Sequence, residues 1–308
     1  MAGFGLTFAA AAGDPAAGGE TPLSVVATIR PVHGIVAAVM EGVGTPRLLL
    51  KGGDSPHTHA LRPSEARLLA GARVVFWIGP ALEVSLGRTL KDLGGGRAVS
   101  LMEADGVSLL PARASTSLGE WEGEDHGDGH GSLPDPHIWL DPANAKAMAR
   151  TVAAVLSERD PAHRADYESN AARFAGRMDA ADARIKTRLE PVAALPFVTF
   201  HDALQYYARH FGLRAVASVT PNPERAPGAR WVRQLRAMVR EQGVTCVFVE
   251  PQFEPQLART IIEGTDARIA TLDPLGTDIP TGPMFLDSLL DDVTDSLYAC
   301  LAGPRPVP

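Results

Sequence analysis

Cysteine is nearly absent from this chain of 308 residues, and its two copies, Cys246 and Cys300, are too few and too far apart to hold zinc as thiolates. Clustered Lys and Arg are missing as well. With 29 basic against 36 acidic side chains the net charge is -7, which leaves no patch for phosphates and argues against a nucleic-acid partner. No segment beyond the N-terminus offers the roughly 20 uninterrupted apolar residues that a membrane helix needs. A His-Glu-x-x-His helix, the usual sequence sign of a metal-dependent hydrolase, does not occur. What remains is a globular composition, 45% hydrophobic and 21% charged, in a chain long enough for two domains with a core each.

Residues 1–20 are mostly small and apolar, with Phe4-Gly5-Leu6-Thr7-Phe8 running into alanines and then Gly13-Asp14-Pro15. They look like the back half of an export signal that lacks its positively charged start, so they are read as the remnant of such a signal or as a disordered leader. Apolar runs then alternate with helical periodicity. Strands are expected over 23–29, 46–50, 73–79 and 98–101, with helices over 32–43, 64–70 and 82–93. Such alternation builds βαβ units on a parallel sheet. The pattern breaks between 104 and 136, where an acidic, glycine-rich stretch carries His126 and His130. That stretch is either a weak metal-collecting tether or a solvated insertion. A helix starting at Asp141-Pro142 and running to 158 closes a first lobe over 21–160.

Tyr167, Ala171, Phe174, Met178, Ala181, Ile185 and Leu189 recur at steps of three and four. They predict one long amphipathic helix within 161–191, about 40 Å long, joining two lobes. A coiled-coil arm is the competing reading, and it lacks a second heptad partner. From 192 to 308 the α/β theme repeats, with strands over 197–201, 216–219, 246–250 and 268–273 and helices over 203–211, 228–242 and 286–301. The fold class is therefore α/β: two lobes with parallel sheets flanked by helices, a long helix between them, and a cleft.

Candidate site residues gather at that cleft. His57 follows a strand on a loop stiffened by Pro56, His137 lies in the proline-punctuated run 134–142, and His201 ends a strand of the second half. Ligands on parallel sheets collect at the carboxyl ends of strands. Each histidine alone is more often a structural polar residue than a ligand. Together, His57, His137 and His201 with Asp273 or a water fit a tetrahedral zinc site, whereas a shell richer in oxygen would suit manganese. His33 and His59 are further candidates for the fourth position. A zinc-dependent hydrolase is the alternative function, with Glu250 the one general base that can be placed near the metal.

The segments Gly53-Asp54-Ser55-Pro56-His57 with Leu61-Arg62-Pro63-Ser64, Asp135-Pro136-His137-Ile138-Trp139-Leu140-Asp141-Pro142, Thr199-Phe200-His201-Asp202, Val249-Glu250-Pro251-Gln252-Phe253 and Thr271-Leu272-Asp273-Pro274-Leu275-Gly276 resemble, in order, those of the zinc-specific solute-binding proteins of bacterial ABC importers. The resemblance spans nearly the whole chain past residue 22. It implies a non-enzymatic periplasmic receptor, a monomer, that binds Zn2+ through His57, His137 and His201 and hands it to a membrane permease, with a periplasmic zinc chaperone as a further partner. Histidine at the third ligand position marks the zinc branch. The branch also pairs cysteines at the places of Cys246 and Cys300, which an oxidising compartment permits. Asp273 or water is expected as the fourth ligand.

Overall fold

The computed structural model of the protein describes residues 23–51, 55–92, 94, 96–113, 133–220, 227–252 and 255–303. The leader over 1–20, Gly53 and Asp54 of the first motif, and the acidic stretch with His126 and His130 lie outside them.

Short apolar runs form the sheets. In the first lobe β1 (Val25–Ala27), β2 (Arg47–Leu48), β3 (Val74–Trp77) and β4 (Ala98–Ser100) make a parallel sheet in the order β2-β1-β3-β4. In the second lobe β5 (Phe197–Thr199), β6 (Ala215–Ser218), β7 (Cys246–Val249) and β8 (Arg268–Thr271) repeat it as β6-β5-β7-β8. Each sheet therefore has one point where successive connections run to opposite sides, between its first and third strands. Side chains at the carboxyl ends of those strands face a crevice that helices cannot cover.

Helices α1 (Arg30–Val39), α2 (Pro63–Ala70), α3 (Val84–Asp92) and α4 (Pro142–Arg159) belong to the first half, and α5 (Arg164–Leu189) joins it to the second. Asp141 caps α4 by accepting from the Ala143 N–H at 2.7 Å, and Pro142 takes the first helical position, where no donor is needed. The apolar stripe of α5 is buried along its length, from Tyr167 through Phe174 and Met178 to Leu189. Helices α6 (Gln205–His210), α7 (Ala229–Glu241), α8 (Gln256–Ile262) and α9 (Phe285–Ala302) complete the chain. The sequence reading passed over α8. Parallel pairing of β7 with β8 requires a crossover, and Ala258 and Ile261 supply its buried face.

The two lobes do not keep separate cores. One continuous apolar cluster runs from Val26 and Phe76 through Trp139 and Phe174 to Phe197, Phe248 and Leu290, while a smaller one fills the outer face of the second sheet around Trp231 and Val247. Helix α9 packs on α1 and α5 as well as on β8, which ties the C-terminus to both halves. Arg177, Arg184 and Arg188 of α5 meet Asp287, Asp291 and Asp295 of α9 in step, so the two helices run parallel. Close approach at this junction needs glycine: a Cβ on Gly34 would come within 2.8 Å of the Phe285 side chain. Gly276, at φ +63°, faces the same ring. Cys246 on β7 and Cys300 on α9 form a disulfide.

Candidate metal centre

His201 stands just past the carboxyl end of β5 and Glu250 just past that of β7, so the two flank the crevice of the second sheet. Nδ1 of His201 donates to Glu250 Oε1 in a short hydrogen bond. That bond puts the ring proton on Nδ1 and leaves the Nε2 lone pair facing the other lobe. His137 is oriented in the same way. Its Nδ1 donates to Asp135 Oδ1 at 2.7 Å, and the same oxygen accepts the His137 backbone N–H at 2.9 Å. Asp135 is fixed in turn from the second lobe, because the Tyr206 hydroxyl donates to its carbonyl oxygen at 2.8 Å and accepts the Leu110 N–H at 2.9 Å.

The outcome is convergence. Nε2 of His137 and Nε2 of His201 are 3.2 Å apart. Two zinc–nitrogen bonds of about 2.05 Å at the tetrahedral angle would set their nitrogens about 3.3 Å apart. His57 comes from the loop between β2 and α2, and one ligand atom from each of the three imidazoles lies within 4.8 Å of the others. His57 is the least constrained of the three, since no hydrogen-bond partner holds its ring among the described residues, and its ring centre lies 5.6 Å from that of His137 and 5.8 Å from that of His201. Trp139 stacks edge-on against His137 at 5.3 Å and donates its indole N–H to Pro274 O at 2.9 Å, closing the apolar wall behind the rings.

Electrostatics divide the three imidazoles. Burial, reinforced by positive charge on His137 or His201, pushes the His57 imidazolium down to about 3, so this ring stays neutral at any ordinary pH. For His201 burial acts downward too, but the Glu250 carboxylate outweighs it, with Asp202 and Asp135 adding to the pull, and the net direction is upward. Its carboxylate partner thus makes the His201 ring more basic than an ordinary imidazole.

The other candidates are placed elsewhere. Asp273 does not point its carboxylate at the imidazoles: Oδ1 accepts the N–H groups of Leu275 and Gly276 at 2.9 and 3.1 Å, and Oδ2 that of Thr277 at 2.5 Å. It caps its own loop. Nε2 of His59 binds Glu65 Oε2 at 2.8 Å, and the same carboxylate oxygen accepts the Arg62 N–H at the start of α2. His33 donates from Nε2 to Pro46 O at 3.1 Å, in a groove shared with Arg30 and Lys51 rather than in the cleft. The carboxylates nearest the cluster, Asp135 and Glu250, stand behind the His137 and His201 rings. Asp135 had a sequence signal in its place two residues before His137, whereas Glu250 could be paired with His201 only once β5 and β7 were known to be neighbours.

A cavity of about 20 Å3 is lined by the rings with Ser55, Pro56, Glu250, Gln252 and Leu275. It is room for one ion with at most a water. Beyond the rings a wider cavity of about 300 Å3 opens toward Ala112 and Leu133, and Arg113 and Asp202 pair across its mouth, one from each half of the chain, with Nε to Oδ2 at 2.6 Å.

Comparisons with known proteins agree with this architecture. The profile of the family described as ZnuA, zinc-uptake complex component A periplasmic, matches residues 25–300. The high-affinity zinc uptake system protein ZnuA of Brucella suis is 40% identical over 308 residues, covering 90% of this chain and 91% of that protein. A crystal structure of ZnuA superposes with a TM-score of 0.74 at 24% identity, covering 90% of this chain and 99% of that one. The SBP FpvC from Pseudomonas aeruginosa, in complex with Mn2+, superposes with a TM-score of 0.78 at 21% identity, covering 92% of this chain and 99% of that one. At such identity the two structural likenesses establish the fold and leave the metal open. The extent of the profile match and the identity to the Brucella relative decide the rest: the chain belongs to the ZnuA family of periplasmic zinc-uptake components.

Proposed function

We propose that this chain is the receptor of a high-affinity zinc importer, taking Zn2+ on His57, His137 and His201 and delivering it to a membrane permease of the ABC type. The observation that carries the reading is the convergence of three ring nitrogens in a cavity sized for one ion, two of them already at the edge length of a tetrahedral zinc site. Asp135 and Glu250 supply the carboxylate–histidine pairing that fixes tautomer and raises ligand basicity. Loading therefore needs no rearrangement of those two rings. It needs His57 to close on an ion the others have caught.

Manganese is the second reading, and the donor set speaks against it. Hard divalent ions prefer carboxylate and carbonyl oxygen, whereas imidazole suits zinc. Asp273 is turned into its own loop, Glu250 binds the far nitrogen of His201, and no carboxylate joins the three rings in the ligand cluster among the described residues. The test is a titration of untagged, metal-free protein against Zn2+ and Mn2+ in a competing chelator, with His57→Ala, His137→Ala and His201→Ala beside the parent. Tight zinc binding lost in each variant, with folding retained, is the expected result. Tighter binding of Mn2+ than of Zn2+, or any variant matching the parent for zinc, would reject the assignment.

A further inference from the structure

A three-histidine site leaves zinc one donor short of four, and beside the rings the described lining of the cavity holds a side-chain amide whose bonding capacity is unused. Gln252 lines the small cavity beside His57, His137 and His201. Its amide nitrogen and amide oxygen are both buried, and neither has a hydrogen-bond partner among the described residues. A buried primary amide left without partners is destabilising, which points to a water or ligand that satisfies it. The carboxylates are engaged elsewhere: Glu250 at Nδ1 of His201, Asp273 with three backbone N–H groups, and Asp135 through Oδ1 with His137, its unpaired Oδ2 belonging to a residue outside the lining of the small cavity.

We propose that Gln252 is the positioning residue for the fourth zinc ligand: its side-chain amide holds the water that completes coordination by His57, His137 and His201. The inference rests on the zinc reading of those three rings. An amide suits the task because it offers a donor and an acceptor together, and so can bind a water in either orientation. It also adds no charge. The ion keeps its full charge and an exchangeable ligand, as a receptor that must give up its cargo requires. The turn after β7 thus serves the centre twice, with Glu250 behind His201 and Gln252 at the open coordination position.

The test uses full-length protein loaded with Co2+, whose visible absorption reports coordination number and ligand exchange, together with zinc affinity by chelator competition. Azide is the probe for an exchangeable water. Gln252→Leu is expected to bind zinc roughly tenfold more weakly, as for other outer partners of metal ligands, and its Co2+ spectrum to shift at lower azide than in the parent, because the displaced water is held less firmly. Gln252→Glu keeps the shape and is expected to bind zinc at least as tightly as the parent while its Co2+ spectrum stops responding to azide, the carboxylate having replaced the water. An azide response equal to the parent's in both variants would overturn the proposal, whether or not affinity falls, since weaker binding alone would make Gln252 a packing residue. His137→Ala run in parallel separates the two levels: a parent-like Co2+ spectrum in that variant would reject the three-histidine centre itself.

Discussion

Glu250 is the residue on which the energetics of the centre can be worked most closely. Its carboxylate accepts the Nδ1 proton of His201 where the two side chains are only 7% and 8% exposed. Glu250→Gln keeps the shape and still offers an oxygen to Nδ1, but replaces a charge-assisted bond, worth about 1.5 to 3 kcal/mol, by a neutral one of about 1 kcal/mol. The difference, about 0.5 to 2 kcal/mol, corresponds to a loss of zinc affinity near pH 8 of about 2- to 30-fold, centred near tenfold. Glu250→Leu should lose more, toward a hundredfold, because Nδ1–H is then left unpaired. The pH dependence sharpens the test. The carboxylate that makes Nε2 a better zinc ligand also raises the affinity of His201 for a proton. Above the His201 pKa the parent enjoys the full advantage; below it, zinc must displace a proton the parent holds more tightly than the variant does. The ratio of parent to Glu250→Gln affinity should therefore shrink as pH falls. Calorimetry in a competing chelator from pH 8 to 5.5 measures it. Equal affinities at pH 8, or a ratio constant across the range, would refute the role given to Glu250.

Three further outcomes are expected. In metal-free protein the His57 ring should stay neutral down to about pH 4, because burial holds its pKa near 3; a nitrogen NMR titration showing it protonate near 6.5 would contradict the buried placement. Replacing Cys246 and Cys300 by Ser opens a loop of sequence separation 54 and should cost about 4 kcal/mol in urea unfolding on the chain-entropy model, with zinc affinity at folding conditions unchanged. Arg113→Ala removes a half-exposed ion pair worth at most about 1 kcal/mol at the mouth of the wider cavity, so zinc on- and off-rates by stopped flow should rise together while affinity moves less than about fivefold.

Periodicity made most of the architecture legible before any coordinates. The stripe from Tyr167 to Leu189 is the buried face of α5, and the apolar runs ending at Ala27, Trp77, Thr199 and Val249 are strands. Periodicity reports that a face is buried, not what buries it, which is why one core shared by both lobes and the double packing of α9 were out of reach. The three histidines stood out because each follows a strand or lies in a proline-stiffened run. Asp273 carried the same signal for a different reason. A carboxylate followed by Pro274-Leu275-Gly276 is also the pattern of a loop cap, and its three backbone donors lie two to four residues on. The neighbouring His59 shows the same ambiguity, since its partner Glu65 begins a helix rather than a metal shell.

Why this centre stores an ion rather than uses it follows from where its carboxylates lie. A hydrolytic zinc site needs a base within hydrogen-bond reach of the metal-bound water, on the ligand side of the imidazoles. Glu250 is the acidic residue of the cleft that could serve, and its Oε1 is bound to Nδ1, across the ring from the nitrogen that faces the ion. Asp135 stands in the same relation to His137 through its Oδ1. The paired oxygens, Glu250 Oε1 and Asp135 Oδ1, thus lie on the Nδ1 side of the rings, while Asp135 Oδ2 is buried without a partner among the described residues. Carboxylates placed behind two of the rings, and none among the three ring nitrogens of the described cluster, are the arrangement expected of a site that holds an ion rather than activates a water.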